Sequence, residues 1–531
     1  MRSLRIQWQR SKLNDPSTTS SGVMEGTVPV RSYDWIAHHT ARTPNKLAIV
    51  DLASERRFTY QELDRRIGGI AGYLRRTFGI DRGDRIAVLA HNTTDILELQ
   101  FACGRLGAIF VPLNWRLTNP ELSYIISDAT PNVIIYDGDF AASVARLCQQ
   151  HAGLRQMPRA ERGHERAIDA GYSLASSELV SHDDISTIMY TSGTTGSPKG
   201  AMITHGSIFW NAVNASWLSI TEKTTGLSFL PMFHISGLNS YANPILHAGG
   251  TAVIMRNFDA DQALRAIDDR ALGVTHIHGV PATYQFMAQH HRFPETDLSR
   301  LLRATVGGAP MPLPVLETWH QRGLTLTQGF GMTETGPAVL TLPVGDARRK
   351  AGSVGKPLLH TEVTVRHENG TPTRQGEVGE LWVKGPNVSP GYWNRPEVNQ
   401  TTFVDGWFRT GDAVRVDAEG FYYIVDRWKD MYISGGENVY PAEVEQILYQ
   451  IEAIAEAAVI GIRDERWGEV GRAIITVKSG RDLSEAEVLA HCRANLAGFK
   501  TPRSIFFVTS LPRTATGKIH KPTLRQQFNG P

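Results

Sequence analysis

The first part of the globular sequence alternates short apolar runs with segments in which apolar residues recur at helical spacing, and this alternation constrains the fold more than any other feature. In chain order, the helical patterns and the apolar runs cover residues 60–76, 85–90, 96–106, 108–111, 120–128 and 133–136. Strands that are apolar along their whole length are usually buried on both faces, as in a parallel sheet covered by helices. The sequence therefore predicts an α/β fold.

Further apolar runs and many glycine and proline turns organise the rest of the chain. A second set of strands is predicted at 252–255, 274–277 and 304–306. From about 352 the strands become short and alternate with Gly and Pro, which predicts a small β-rich subdomain ending near 426. We expect a large N-terminal domain that contains two parallel-type α/β sheets and this subdomain.

The charged segment Asp426-Arg-Trp-Lys-Asp430 marks the predicted domain boundary. We assign residues 33–426 to the N-terminal domain and residues 427–531 to a mobile C-terminal domain with its own α+β pattern. Residues 1–32 are polar and rich in Ser and Thr, and we interpret them as a disordered tail. Residues 152–180 show no clear period, so we predict a surface loop or an irregular connection there.

Composition argues against several kinds of partner. The 55 Lys and Arg residues nearly balance the 53 Asp and Glu residues, so nothing demands a nucleic acid or an anionic membrane. The sequence contains no run of about 18 apolar residues, which predicts no integral membrane segment. Cys103, Cys148 and Cys492 are far apart, which argues against a disulfide framework and a zinc site. We expect a cytoplasmic protein.

Residues Thr191-Ser-Gly-Thr-Thr-Gly-Ser-Pro-Lys-Gly200 form the most informative motif. Small residues let backbone N–H groups approach an anion closely, while hydroxyls and a lysine add hydrogen bonds and positive charge. The residues that we assign to phosphate binding are Thr191, Ser192, Gly193, Thr194, Thr195 and Lys199. The spacing of the nucleotide P-loop is absent. The motif predicts a phosphate-holding loop, with a flexible Gly/Ser/Thr linker as the alternative.

Further motifs follow this loop in a fixed order. They are Pro231-Met-Phe-His-Ile-Ser236, Gly307-Gly-Ala-Pro310, Gln328-Gly-Phe-Gly-Met-Thr-Glu334, Arg409-Thr-Gly-Asp412, Asp426-Arg-Trp-Lys-Asp430, Gly435-Gly-Glu-Asn-Val-Tyr-Pro441 and Pro512-Arg-Thr-Ala-Thr-Gly-Lys518. With this set, the chain from about residue 33 to 525 resembles the adenylate-forming (AMP-binding) superfamily, in particular its acyl-CoA synthetases and 4-coumarate–CoA ligases. The resemblance implies an acid–thiol ligase that forms acyl-AMP from a carboxylic acid with ATP and Mg²⁺, and then transfers the acyl group to coenzyme A.

The resemblance also implies roles in phosphate chemistry. Attack of a carboxylate on the α-phosphate of ATP brings two anions together, so cations and hydrogen-bond donors must neutralise the charge that develops. Glu334 resembles the family's Mg²⁺ ligand, and Thr333 resembles its phosphate-contacting hydroxyl. Lys518 resembles the C-terminal lysine that contacts the substrate carboxylate and the α-phosphate.

Nucleotide recognition is implied for a second group of residues. Asp412 is expected to accept hydrogen bonds from both ribose hydroxyls, and Arg427 to add a ribose contact. The other residues that the resemblance assigns to the nucleotide, mainly beside adenine, are Gly308, Ala309, Pro310, Phe330, Gly331 and Met332. Phe330 replaces a Tyr that is common in relatives, so it can stack but lacks the hydroxyl.

The C-terminal motifs imply domain rotation and thiol binding. Lys429 matches the family's hinge, about which one orientation inserts Lys518 and the other opens a thiol channel. Gly435 and Gly436 are expected to line this channel, with a simple turn as the alternative. Trp467 is expected to contact coenzyme A, with a packed surface side chain as the alternative.

The acid is constrained by His234 and by the predicted pocket wall. His234 stands where amino-acid-activating relatives usually have Asp, which argues against an amino acid; relatives use this His as a gate beside the acyl carbonyl. The other predicted wall residues are Leu238, Asn239, Tyr241, Gly279, Val280, Tyr284, Gly307, Thr335, Gly336 and Val339. Because glycines make space, a medium-chain, aryl or bulky apolar acid is favoured over acetate.

Several alternatives remain open at this stage. A carrier-protein phosphopantetheine could replace coenzyme A, because both acceptors use the same channel. The chain could instead catalyse only thioesterification of a preformed acyl-adenylate, since intact motifs do not guarantee adenylation. A non-catalytic acyl-nucleotide sensor is disfavoured, because it has no use for Lys518. The resemblance also makes a homodimer possible.

Overall fold

The structure is a computed structural model that describes residues 29–159, 163–174, 180–191, 198–427, 430–435, 437–514 and 517–528. Most of the tail predicted for residues 1–32 lies outside the described residues.

The segment up to residue 214 contains all six strands of the first sheet and, before them in the chain, two strands of the second. Its strands are β1 (Leu47–Asp51), β2 (Arg57–Thr59), β3 (Arg85–Leu89), β4 (Ile109–Pro112), β5 (Val133–Tyr136), β6 (Arg155–Pro158), β7 (Ile185–Thr191) and β8 (Lys199–Thr204). Its helices are α1 (Trp35–Arg42), α2 (Tyr60–Phe78), α3 (Thr94–Leu106), α4 (Asn119–Ala129), α5 (Ala141–Gln150), α6 (Gly163–Asp169) and α7 (His205–Asn214). The sheet has the order β6-β5-β3-β4-β7-β8, and only its last pair is antiparallel among the described strands.

The following segment completes a second, larger sheet. Its strands are β9 (Thr225–Ser228), β10 (Thr251–Ile254), β11 (His276–Gly279), β12 (Arg303–Val306), β13 (Leu326–Gly331), β14 (Ala338–Thr341) and β15 (Lys356–Pro357). Its helices are α8 (Ile235–Asn239), α9 (Ala242–His247), α10 (Ala260–Asp268), α11 (Pro281–Gln289) and α12 (Leu313–Gln321). The order is β15-β14-β13-β12-β11-β9-β10-β1-β2, with a parallel centre from β13 to β1.

Two smaller units follow along the chain. An antiparallel sheet contains β16 (Glu362–Arg366), β17 (Val378–Lys384), β18 (Phe403–Val404), β19 (Trp407–Val416) and β20 (Tyr422–Arg427), with helix α13 (Pro396–Thr402) between strands. The C-terminal unit contains β21 (Tyr432–Ser434), β22 (Glu437–Val439), β23 (Ile454–Asp464), β24 (Gly468–Val477) and β25 (Ser504–Phe507). Its helices are α14 (Pro441–Leu448), α15 (Glu485–Asn495) and α16 (Lys521–Phe528).

The predicted α/β fold class, with two largely parallel sheets and smaller β-rich units, is confirmed. Helix α2 illustrates how local sequence codes for it. The Thr59 hydroxyl accepts a hydrogen bond from the Glu62 amide, while the Glu62 carboxylate accepts one from the Thr59 amide. Gly79 ends the helix in a left-handed conformation, which glycine adopts without steric cost.

The loop interpretation of residues 152–180 was wrong where the structure describes them. Strand β6 and helix α6 lie in this range, and His164, Ala167 and Ile168 of α6 are buried. Both elements escaped detection because they are short: β6 is an edge strand with one buried residue, and α6 spans about two turns. Helix α6 packs against α2, and this tertiary packing stabilises a helix that the local sequence pattern does not predict.

Candidate active site

A cavity of about 1480 Å³ lies where the large sheet, the antiparallel sheet and the C-terminal unit meet. The carboxyl ends of β11, β12 and β13 supply one wall, with Val280, the Gly307–Pro310 turn and Phe330–Glu334. Strand ends of open α/β sheets are the usual position of ligand sites. Lys518 enters the same cavity from the C-terminal unit. Three folding units therefore contribute to one site.

Asp412 and Arg427 form an ion pair at the edge of the cavity. They are register neighbours on the antiparallel strands β19 and β20, and Arg427 Nε lies 3.0 Å from Asp412 Oδ1. The second carboxylate oxygen, Oδ2, is buried and has no hydrogen-bond partner among the described residues. Burial raises the pKa of Asp412, and the Arg427 charge opposes this shift. The pair leaves one buried acceptor ready for hydroxyl donors.

Glu334 lies on the short 3₁₀ turn Thr333–Thr335, directly after β13. Its Oε1 accepts a hydrogen bond of 2.7 Å from the Tyr392 hydroxyl, and its backbone carbonyl accepts one from the Ser389 amide. The other carboxylate oxygen has no hydrogen-bond partner in the described part of the chain. The carboxylate is therefore oriented by Tyr392 and keeps one oxygen free for a ligand.

Sequence reasoning missed Tyr392. Besides its bond to Glu334, its ring lies 5.5 Å from Lys199 Nζ, so one side chain joins two predicted phosphate-site residues. Burial raises the pKa of Tyr392, and the neighbouring Glu334 charge adds to the shift, so the hydroxyl stays a donor. The sequence shows the turn signal Pro390-Gly391 directly before Tyr392. However, no local signal connects Tyr392 with Glu334, which lies 58 positions earlier in the chain.

Lys518 is partly buried between the N-terminal and C-terminal units. A Cβ atom at Gly308 would come within 2.9 Å of Lys518 Cε, so the glycine leaves the path that the lysine occupies. Burial and the nearby Arg427 lower the pKa of Lys518 to about 8, whereas Asp412 and Glu334 oppose this shift. The ammonium group is thus held near both acidic residues and titrates close to neutrality.

His234 is a neutral hydrogen-bond donor beside Lys518. Burial lowers its pKa to about 3, and the charge of Lys518 contributes. Its Nδ1 accepts a hydrogen bond from the Ser236 amide at 3.2 Å, so the ring proton is on Nε2. Because His234 borders the cavity, it can donate to a carbonyl oxygen there.

The structure brings most of the predicted site residues to this cavity. Those that border it are Thr191, Lys199, His234, Tyr241, Val280, Gly307, Gly308, Ala309, Pro310, Phe330, Gly331, Met332, Thr333, Glu334, Asp412, Arg427 and Lys518. The predicted residues outside the described part are Ser192, Gly193, Thr194, Thr195, Lys429 and Gly436.

Other predicted pocket residues do not border the cavity in the described structure. They are Leu238, Asn239, Gly279, Tyr284, Thr335, Gly336 and Val339. Tyr284, for example, donates to the Thr305 carbonyl at 2.8 Å and packs edge-on against Trp319. Hydrogen bonds to neighbouring backbone satisfy buried polar groups among these residues, as at the Tyr284 hydroxyl.

Gly435 and Trp467 lie close together, away from the cavity. The Gly435 amide donates to the Trp467 carbonyl at 2.8 Å, and a Cβ on Gly435 would lie 2.7 Å from the indole ring. Trp467 remains 40% exposed. Because Gly435 has no side chain, the Trp467 ring can pack directly against its backbone. Part of the ring remains exposed to solvent.

An adenylate-forming enzyme is the class that this fold and arrangement define. The family model "AMP-binding enzyme" matches residues 36–393, and the model "AMP-binding enzyme C-terminal domain" matches residues 443–518. The chain belongs to the AMP-binding enzyme family. Among the described residues, no helix is both long and apolar enough to cross a membrane.

Similar proteins are coenzyme A ligases. A feruloyl-CoA synthase of Amycolatopsis sp is 41% identical, over 95% of this chain and 99% of its own, and an indoleacetate–CoA ligase of Aromatoleum aromaticum is 37% identical, over 93% and 97%. The o-succinylbenzoate CoA synthetase MenE of Bacillus subtilis in complex with the acyl-adenylate OSB-AMP superposes with a TM-score of 0.84, at 32% identity over 94% and 99% of the two chains. The predicted family and acid–thiol ligase class are confirmed.

Proposed function

We propose that this enzyme joins an aryl or other bulky apolar carboxylic acid to coenzyme A through an acyl-AMP intermediate, with ATP and Mg²⁺. One observation carries the proposal: Glu334, Asp412 and Lys518, from three separate folding units, border one cavity. The similarity to feruloyl-CoA synthase and indoleacetate–CoA ligase supports an aryl acid.

The ribose of the nucleotide is assigned to Asp412. Its buried and unpaired Oδ2 fits the two hydroxyl donors of a ribose, whereas Oδ1 is already held by Arg427. The cavity edge at Gly308–Pro310 has only small side chains, which suits a flat base. These features support nucleotide binding with the sugar at β19 and the base against the turn after β12.

The phosphates and the metal ion are assigned to the opposite part of the cavity. The free oxygen of Glu334 is the kind of ligand that Mg²⁺ prefers, and Lys199 lies nearby above Tyr392. When bound, the ion supplies charge neutralisation to the phosphate oxygens. Thr333 offers a hydroxyl from the same turn. Tyr392 holds the carboxylate in place.

Adenylation then depends on Lys518 and His234. The Lys518 ammonium would neutralise the substrate carboxylate and the α-phosphate as they meet. The Nε2–H of His234 would donate to the acyl carbonyl oxygen and orient the acid. For the second half-reaction we keep Lys429 as the proposed hinge, and Gly435, Gly436 and Trp467 as the proposed thiol channel.

The complete cycle can be tested directly. Purified enzyme should form acyl-CoA from an aryl acid panel with ATP, Mg²⁺ and coenzyme A, and should also do so from synthetic acyl-adenylate plus coenzyme A. Activity only with supplied adenylate would establish the thioesterification-only alternative. Activity only with a phosphopantetheinylated carrier would establish the carrier-protein alternative. Pyrophosphate release with acetate or an amino acid alone would contradict the proposed acid class.

The pH profile of adenylation should report Lys518. Its pKa of about 8 means that the cation is present below pH 8 and is lost as the pH rises above it. We expect kcat/KM for acid-dependent pyrophosphate exchange to fall by about tenfold per pH unit above this pKa, because kcat/KM reports groups of the free enzyme. Thioesterification of supplied adenylate is the control and should lack this decline. A flat exchange profile up to pH 9.5 would contradict the assignment.

Replacing Tyr392 with Phe should weaken Mg²⁺ use. The substitution keeps the ring but removes the hydrogen bond to Glu334 Oε1. Loss of a residue that is hydrogen-bonded to a metal ligand typically lowers metal affinity or activity by about 10- to 100-fold. The half-saturating Mg²⁺ concentration should therefore rise by about tenfold or more. Tyr172→Phe, at an exposed tyrosine, is the matched control. An unchanged Mg²⁺ dependence in the Tyr392 variant would exclude this positioning role.

Five further predictions from the sequence belong to the proposal. The domain boundaries at 32 and 426, the β-rich subdomain from 352, and the C-terminal rotation remain as predicted from sequence. A homodimer stays a prediction by resemblance. The cytoplasmic location is supported by the three cysteines, which are free in the structure.

A further inference from the structure

The inner end of the cavity contains a polar chain that the nucleotide and phosphate chemistry does not use. His278 and Thr305 are register neighbours on the parallel strands β11 and β12. His278 Nδ1 lies 2.8 Å from Thr305 Oγ1, and Thr305 Oγ1 donates to the Tyr241 hydroxyl at 3.2 Å. All three side chains belong to residues that border the cavity.

The direction of these hydrogen bonds fixes the protonation of His278. A threonine hydroxyl has a single proton, and Thr305 gives it to Tyr241. Thr305 Oγ1 can therefore only accept from His278, so the ring proton of His278 is on Nδ1. The other nitrogen, Nε2, is then a hydrogen-bond acceptor. Burial lowers the pKa of His278 to about 4, so the ring is neutral at physiological pH.

His278 is partly exposed and borders the cavity. Its Cε1, which is bonded to Nε2, would lie 3.5 Å from a Cβ atom at Gly307, and Gly307 borders the same cavity. Nε2 has no hydrogen-bond partner among the described residues. An acceptor that borders a cavity and has no protein donor is open to a ligand that supplies one.

This acceptor lies deeper than the site of acid activation. Thr305 lies on β12, two residues before Gly307, and both residues border the cavity. Two residues of a strand span about 7 Å, so Thr305 lies about 7 Å deeper in the cavity than Gly307. Ala215, Leu218 and Ser240 border the same cavity. The carboxylate end of the acid is assigned to His234 and Lys518 nearer the nucleotide, so the far end of a bound acid reaches His278.

We propose that His278 selects acids that carry a hydrogen-bond donor, a phenolic hydroxyl or a ring N–H, at the end remote from the carboxylate. The proposal rests on the proposed function, since it assumes that the acid occupies this cavity. His234 and His278 then have opposite roles: the first donates to the carbonyl, and the second accepts from the far end. Thr305 and Tyr241 are positioning residues that hold the accepting tautomer.

The test compares acids of similar shape with and without this donor. The probes are 4-hydroxy- and 3-hydroxycinnamic acid against cinnamic acid, and indole-3-acetic acid against 1-naphthaleneacetic acid. The wild-type enzyme should prefer the donor-bearing member of at least one pair in kcat/KM by about tenfold, the scale of one buried hydrogen bond with an otherwise unpaired partner. His278→Leu should reduce this preference to about twofold or less, because kcat/KM for the donor-bearing acid should fall more than kcat/KM for the donor-free acid.

Two further variants and a binding assay keep the test decisive. His278→Gln retains an acceptor at similar reach and should restore part of the preference, whereas the exposed His291→Leu should leave it unchanged. Acyl-sulfamoyl-adenosine analogues of the same acids measure affinity without turnover. If no acid is turned over but the analogues discriminate, only the proposed function fails.

Two results would overturn the inference. The first is equal use and equal affinity of both members of every pair by the wild-type enzyme, which would mean that water satisfies Nε2. The second is a preference for the donor that survives undiminished in His278→Leu, which would assign recognition to another group.

Discussion

Replacing Lys518 with Ala should lower acid-dependent pyrophosphate exchange by about a hundredfold to a thousandfold, the range found when one essential charged or donor group is removed from a transition-state site. Lys518 reaches the cavity beside Gly308, and Asp412 and Glu334 both interact with its charge. Without the ammonium group, the carboxylate and the α-phosphate must approach each other with their repulsion less compensated. No other lysine of the described C-terminal unit interacts with both acidic residues.

The control variant for this experiment is Lys478→Ala, at an exposed lysine of the same unit. It should exchange pyrophosphate like the wild type. Thioesterification of supplied acyl-adenylate should fall by less than about tenfold in Lys518→Ala, because that step no longer involves attack on phosphate. Nucleotide binding should persist, since Asp412 and Arg427 are untouched. Unchanged exchange in Lys518→Ala would refute the role assigned to this lysine.

Replacing Glu334 with Gln should lower adenylation by about a hundredfold and raise the Mg²⁺ requirement. The substitution keeps the shape of the side chain and can keep a hydrogen bond with Tyr392, but it removes the negative charge. The site would then retain the cations Lys199 and Lys518, with Asp412 as the remaining carboxylate that acts on Lys518. The measurement is pyrophosphate exchange as a function of Mg²⁺ at fixed ATP.

The matched control is Glu397→Gln, at an exposed residue of α13. It should leave both the rate and the Mg²⁺ dependence unchanged. A comparison with Tyr392→Phe adds a second check, because that variant should change the Mg²⁺ dependence more than the maximal rate. If Glu334→Gln kept the wild-type Mg²⁺ dependence, Glu334 would not be a metal ligand.

Much of the architecture was predictable because it depends on short-range patterns. The capping box of α2 and the apolar runs that became β3, β4 and β5 are signals within a few residues. The order of the motifs, likewise, identified the family and the chemistry of Glu334 and Lys518. Local pattern failed where elements are short and are stabilised from outside, as in β6 and α6.

The pocket wall was predicted less completely than the nucleotide site. Tyr284 and Val339 are fully buried and do not border the cavity, whereas His278 and Thr305, which were not predicted, border it. A one-residue difference along a strand moves a side chain to the opposite face, and the sequence does not state which face meets the cavity. Motif resemblance therefore locates a pocket more reliably than it locates the atoms that line it.

The amino-acid order alone specified the longer helices and the apolar strands of the first sheet, because their patterns lie within a few residues, and the set of motifs specified the family and its reactive groups. Only the tertiary structure decided how those groups are paired. The Tyr392–Glu334 bond, the Asp412–Arg427 pair with its unpaired oxygen, and the His278–Thr305 contact depend on strand register and on long-range packing. Such contacts join positions that are distant in sequence, and hydrogen-bond direction follows from geometry that no local pattern contains.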